Sequence, residues 1–159
     1  MTKSPDYGVV PQEVLLSYDG LTFLQALIAG SFPAPPIAKT LGFVLIVVEP
    51  GRAVFEGEPK FDYYNPLGVV HGGYAATLLD SALGCSVHTT MAKGEAYTTL
   101  ELKLNMVRPI TSTVGVLSAE GRVIHRGRSV ATAEGQLKDR TGKLYAHATT
   151  TCMIFPARS

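Results

Sequence analysis

From Tyr97 onward the chain alternates in twos. In "TTLELKLNMVRP", Leu100, Leu102, Leu104 and Met106 alternate with Glu101, Lys103 and Asn105, which predicts a strand with one buried face. Residues 113–125 and 129–138 predict two more strands, parted at Arg126-Gly127-Arg128. A turn, Asp139-Arg140-Thr141-Gly142, leads to a last strand in which Leu144, Ala146, Ala148, Thr150, Cys152 and Ile154 share a face. Further upstream, Glu49-Pro50-Gly51-Arg52 lies between apolar, β-branched stretches. Proline presets φ at the second position of a turn and glycine supplies a positive φ at the third, so this segment predicts a hairpin.

Two stretches have helical spacing instead. In residues 13–30, Val14, Leu15, Leu21, Leu24, Leu27 and Ile28 recur at mostly helical intervals. Asp19 is placed to cap a helix starting near Gly20, and Gly30 to end it. "FPAPP", residues 32–36, should then stop any helix. We therefore expect residues 1–39 to be a helical extension packed on a core spanning 40–156. Residues 61–73, with Asn65-Pro66 and Gly68, read as a loop. The run 73–90 is apolar or small almost throughout and predicts a long helix buried on most sides, with one carboxylate, Asp80, in its middle.

Helix, hairpin, long helix and four strands specify an α+β protein: a single domain over residues 1–159, with one antiparallel sheet curled around one apolar helix. Small residues on one face of the late strands (Ala131, Ala133, Gly135, Ala146, Ala148) would let helix and sheet approach closely. A sheet of this kind keeps open edges, which favours self-association.

Composition narrows the function. At 46% hydrophobic residues the chain can build a core, and its formal net charge of +1, with no Lys/Arg block, argues against nucleic acid as a partner. Cys85 and Cys152 are far apart and suit buried thiols in a reducing compartment. The opening "MTKSPDYGVVPQE" has no apolar segment of signal-peptide type, and the longest apolar run, "FVLIVV", is too short to cross a membrane. A cytoplasmic protein without membrane attachment is expected. His88, His125 and His147 fit no metal-ligand spacing and no metal is expected; serine-elbow, phosphate-loop and dinucleotide fingerprints are also missing from the sequence.

The chemistry concentrates around residues 65–80. His71-Gly72-Gly73 opens the long helix with two residues lacking Cβ. Amides at a helix N-terminus are unpaired and carry the positive end of its dipole, so a carbonyl oxygen approaching them would find an oxyanion site. Gly73, Thr77, Asp80 and Gly84 form one helical stripe of small and polar residues. At 1.5 Å per residue Asp80 lies about 12 Å from Gly72 along the axis, too far for both to serve one carbonyl within one chain. Either the ligand is long or Asp80 serves the site of a neighbouring subunit. Each residue also has a plain structural use: the glycines as a tight entry to the helix, His71 as a hydrogen-bonded structural residue, Asp80 as a satisfied core acid, Asn65 as a turn former.

"NPLGVVHGGYAATLLDSALGC" followed by "TTLELKLNMVRP" resembles the hot-dog-fold acyl-CoA thioesterases of the phenylacetate-degradation (PaaI) type, relatives of the 4-hydroxybenzoyl-CoA thioesterases, over roughly residues 38–155. The resemblance implies hydrolysis of an acyl- or aroyl-CoA thioester, with no cofactor besides the CoA of the substrate. It implies that the Gly72 amide polarises the thioester carbonyl and that Asp80 of the facing subunit is nucleophile or general base. Asn65 and His71 would position thioester or water, and Thr99, with Thr98 as the alternative, would assist the carboxylate. Gly73 and Tyr74 would border the substrate. Arg126, Gly127, Arg128 and Ser129 match the segment that meets the CoA nucleotide, and guanidinium forks suit phosphate. The resemblance also implies a dimer with shared sites, assembled into a homotetramer. A non-catalytic acyl-CoA-binding protein and a hot-dog enoyl-CoA hydratase or dehydratase are the alternatives.

Overall fold

A computed structural model describes residues 6–157. Along this span the elements are α1 (Gln12–Leu16), α2 (Gly20–Ile28), α3 (Pro36–Leu41), β1 (Phe43–Glu49), β2 (Arg52–Gly57), α4 (Gly72–His88), β3 (Glu95–Met106), β4 (Leu117–Arg126), β5 (Val130–Asp139) and β6 (Leu144–Pro156). The six strands form one antiparallel sheet in the order β1-β2-β4-β5-β6-β3, and α4 packs against every strand of it. This is the helix-in-sheet arrangement the alternation predicted.

The close approach has the expected cause. Ala131, Ala133, Ala146 and Ala148 are buried on the inner face, where Leu78, Leu79 and Leu83 of α4 are sealed from solvent. Each such leucine contributes about 2 kcal/mol by leaving water. Gly121 is the tightest point: a Cβ there would run into the carbonyl of Ala82. The hairpin also forms as read, with Gly51 at φ +73° between β1 and β2. Its Gly51 amide donates to Thr89 Oγ1 at 2.8 Å, fastening the turn to the end of α4.

In the extension Asp19 caps a helix at Gly20 as read, its Oδ1 accepting from the Thr22 amide at 2.9 Å, and the short α1 precedes it. Gly30, at φ +77°, follows α2 as expected. "FPAPP" does not simply stop a helix. Pro36 occupies the first turn of α3, where a missing N–H goes unnoticed, so helix continues to Leu41 and ends at Gly42 with φ +61°. The extension thus reaches 41 rather than 39; its residues 1–5 lie outside the described residues. α2 sits on the end of α4, with Phe23 stacked on His88 at 5.7 Å and the Gly20 amide donating to Met91 O at 2.9 Å.

The simple alternation of β3 is also corrected. Thr99 pairs with Cys152 and Glu101 with Thr151, so Leu100 is the extra residue of a bulge and is 59% exposed. Leu102 and Leu104 are only half-buried and Met106 is 53% exposed. The reason is position: β3 is the last strand of the sheet, and among the described residues no strand covers its outer edge.

Candidate active site

The helix entry is built by the loop before it. Asn65 Oδ1 accepts from the Leu67 amide at 2.9 Å and, more weakly, from the Val69 amide at 3.4 Å, which closes a turn. The Val70 amide donates to Ile110 O and the His71 amide to Tyr63 O, fixing the chain where α4 begins. His71 is the N-cap, and its Nδ1 accepts from the Gly73 amide at 2.8 Å. The Tyr74 amide donates to His71 O. Gly72 is therefore left as the first-turn amide with no acceptor among the described residues, at the positive end of a 17-residue helix. His71 thus acts by occupying one amide and leaving its neighbour open.

Beside that amide lies a cavity of about 340 Å³. Val70, Ala75, Ile110 and Ala146 supply an apolar floor, while Asn65, Met106 and Arg108 stand around it. A Cβ on Gly72 would come within 2.5 Å of the Met106 thioether, the flexible end of that side chain, so Met106 rests in the space the glycine leaves open. Tyr74, expected near the substrate, is buried instead beneath Tyr63, with ring centroids 5.1 Å apart. It does not border this cavity, and burial pushes its phenol well above the ordinary tyrosine range.

The carboxylate lies two turns along α4. Asp80 is exposed in the single chain, not buried as its apolar neighbours suggested, and lies beside Thr99 of β3, the strand at the edge of the sheet. Thr99 Oγ1 donates to Asp80 Oδ1 at 3.4 Å, which selects Thr99 over Thr98 as the hydroxyl beside the acid. The rest of the stripe is not open. Gly84 is buried against the Tyr97 hydroxyl, where a Cβ would lie 2.8 Å away. Burial, reinforced by the charge of Asp80, pushes the Cys85 thiol up to about 12 and holds Tyr97 well above its usual range. Burial also raises Cys152. The groups around Asp80 therefore stay protonated at neutral pH.

The Arg126–Ser129 segment closes the β4–β5 turn, with the Gly127 amide on Val130 O and Ser129 O accepting from Ile154. The register aligns Arg126 with Ala131, Cys152 and Thr99 in one row across the sheet, about 14 Å from end to end at 4.8 Å per strand. Arg126 is already engaged: Nη2 bonds Glu95 Oε2, and Nη1 bonds the Gly127 carbonyl. Of the two arginines, Arg128 is exposed and has no partner among the described residues. Met106 and Arg108, which stand at the cavity, were missed because residues at the end of an alternating strand look like plain continuation and solvent. The Arg108-Pro109 step, where Pro ends the strand, was the available signal. Among the described residues no three His, Cys, Asp or Glu side chains gather as a metal site, and no helix is long and apolar enough to cross a membrane.

An antiparallel sheet wrapped around a long helix, with an open amide at the helix entry and an acid on its exposed stripe, is the hot-dog fold. The thioesterase superfamily model matches residues 67–146, from the loop before α4 into β6. The chain belongs to that superfamily. It is 35% identical over 115 residues to a candidate esterase of Saccharolobus solfataricus, covering 72% of this chain and 80% of that one. It is 28% identical over 108 residues to a 1,4-dihydroxy-2-naphthoyl-CoA hydrolase of Listeria monocytogenes, covering 68% and 86% respectively. A phenylacetic acid degradation-related protein of Ralstonia eutropha, described as a candidate thioesterase, superposes with a TM-score of 0.75 at 34% identity, over 82% of this chain and 98% of its own.

Proposed function

We propose that this protein hydrolyses an acyl- or aroyl-CoA thioester at a site shared by two copies of the chain. The observation that carries the reading is the open Gly72 amide at the mouth of an apolar cavity, with a hydroxyl-supported carboxylate eight residues along the same helix. Thioester hydrolysis needs both parts: a donor where negative charge develops on oxygen, and a group that attacks or deprotonates water.

Within one chain the two parts cannot meet. Asp80 lies eight residues along α4 from Gly72, about 12 Å, with Thr99 of β3 beside the acid and Met106 beside the helix entry. The free edge of β3 supplies the remedy. Antiparallel pairing with a second β3 about an axis between Leu102 and Lys103 sets Thr99 of one copy opposite Met106 of the other. Each Gly72 amide then faces the acid of its partner, and two equivalent sites form. The exposed Leu100, Met106 and Val107 along this strand support pairing, since they remove apolar surface from water when covered.

In this site the carbonyl oxygen accepts from Gly72, and Asp80 attacks the carbonyl carbon or takes a proton from the attacking water. Collapse of the tetrahedral adduct breaks the C–S bond and releases CoA as a thiolate, which takes up a proton; on the nucleophilic route water then hydrolyses the mixed anhydride left on Asp80 and regenerates its carboxylate. Asn65 keeps its Oδ1 on the loop, so the group it offers a substrate is its amide NH₂. The test is thiol release from a panel of short, long and aromatic CoA thioesters. Release by the wild type and its loss in Asp80→Asn are expected; equal turnover in both proteins would remove the mechanism. The similarity to a naphthoyl-CoA hydrolase makes aromatic thioesters the first to try.

A further inference from the structure

Among the described residues, Arg108 is the one charged residue bordering the Gly72 cavity. It is held in place at two points. Its Nε donates to Leu144 O at 3.2 Å, and its guanidinium carbon lies 5.9 Å from the centroid of the Tyr145 ring. Tyr145 is itself anchored: the Val107 and Arg108 amides donate to its carbonyl, and its hydroxyl donates to Asp139 Oδ2 at 3.2 Å. Asp139 is in turn occupied by the Thr141 and Lys143 amides and the Thr141 hydroxyl, so its carboxylate is committed to the β5–β6 turn.

This leaves the two terminal nitrogens of Arg108 without an acceptor among the described residues, on a guanidinium whose orientation is already fixed. The arrangement is a preorganised fork. An arginine bonded through Nε and stacked on a ring loses little freedom when it receives a planar or tetrahedral oxyanion on its Nη edge. It stands over a cavity whose other lining is apolar or neutral, so the anion it matches is carried by whatever fills that cavity.

We infer that Arg108 is a specificity residue that holds an oxyanion of the substrate while the thioester carbonyl sits on Gly72. The inference rests on the thioesterase reading. Two parts of the substrate could carry that oxyanion: a phosphate of CoA, brought in at the end of the pantetheine arm, or a carboxylate at the far end of the acyl group.

The experiment compares wild type with Arg108→Gln on three thioesters: a neutral acyl-CoA, the same acyl group on pantetheine, which has no phosphate, and an acyl-CoA whose acyl chain ends in a carboxylate. One class of substrate should show a KM raised about tenfold in the variant, equivalent to about 1.4 kcal/mol, with kcat within twofold. If CoA thioesters lose affinity and the pantetheine thioester does not, the phosphate is the partner. If only the carboxylated acyl-CoA loses affinity, the acyl carboxylate is. Equal changes on all three substrates, or no change on any, overturn the inference. Should folded wild type hydrolyse none of them, the hydrolase reading fails, and calorimetric affinities of the same three compounds for the two proteins still decide the role of Arg108 by the same comparison.

Discussion

The Thr99 hydroxyl is the hydrogen-bond donor to Asp80, at 3.4 Å, whereas Thr98 pairs with Met153 and belongs to the opposite face of β3. A hydrogen bond to a charged group is worth about 1.5–3 kcal/mol. Thr99→Ala should therefore lower kcat on the best CoA thioester by about tenfold or more, and Thr98→Ala should leave it unchanged. Asp80→Ala should cost about 10²–10⁴-fold, the range of a positioned acid–base group. Thiol-release kinetics with circular dichroism as a folding control check all three. A Thr98 variant as impaired as the Thr99 variant would mean that the wrong hydroxyl has been paired with the acid.

The two arginines of the β4–β5 turn should separate. Arg126 joins the end of β4 to the start of β3 through Glu95, which its guanidinium also helps keep ionised, below the usual glutamate range, along with the Ala92 amide. Arg126→Ala should cost about 1 kcal/mol in urea unfolding, as partly exposed pairs do, without a selective rise in KM for CoA. Arg128 bonds nothing among the described residues, so Arg128→Ala should leave stability alone, and any effect it has should appear in KM. A stability loss in the Arg128 variant and none in the Arg126 variant would reverse this assignment.

His88 makes stability depend on acidity. Buried between Phe23 and Tyr97, it is pushed down to about 4 from an ordinary value of 6.5 by loss of water. Its folded value lies below its unfolded one, so between about pH 6.5 and 4 the unfolded chain takes up a proton that the native protein refuses. Stability should fall by about 3 kcal/mol across that window and level off below it. His88→Phe keeps the ring stack and should flatten the slope there. Asp19 and Asp139, held below 3.8 by hydrogen bonds, lose their contributions beneath this window, and Glu95 and Glu120, held below 4.5, begin to lose theirs only at its acid end, so the slope above about pH 4.5 belongs to the histidine. An unchanged slope in the variant would show that His88 is not the responsible group.

What could be read from the sequence was what depends on local rules. The Pro50-Gly51 turn, the Asp19 cap and the small inner-face residues of β5 and β6 each follow from backbone preference or side-chain size. The Gly72 entry was legible for the same reason, since absent Cβ atoms are visible in any sequence. The missed features depend on distant partners. Asp80 is flanked by apolar residues that belong to the other faces of α4, and its exposure shows only in the fold, where it lies beside Thr99 of the edge strand β3. Leu100 leaves the alternation because β6 offers one residue against two, a mismatch written in neither strand alone. The partner of Arg126 lies on β3, across the whole width of β5 and β6. Pro36 looked like a stop because proline both ends helices and begins them.

The shared site is tested most directly by mixing two inactive proteins. Gly72→Pro removes the one amide hydrogen in question at the first helical position, where proline is tolerated and where His71 already has the extended ψ of 136° that a following proline requires. Asp80→Asn removes the acid. Unfolded together and refolded, the two chains should form mixed pairs in which one site has both its amide and its acid and the other has neither, restoring about a quarter of wild-type activity at equal mixing. Activity no higher than the sum of the two variants alone, in a sample shown to contain mixed pairs, would contradict the account.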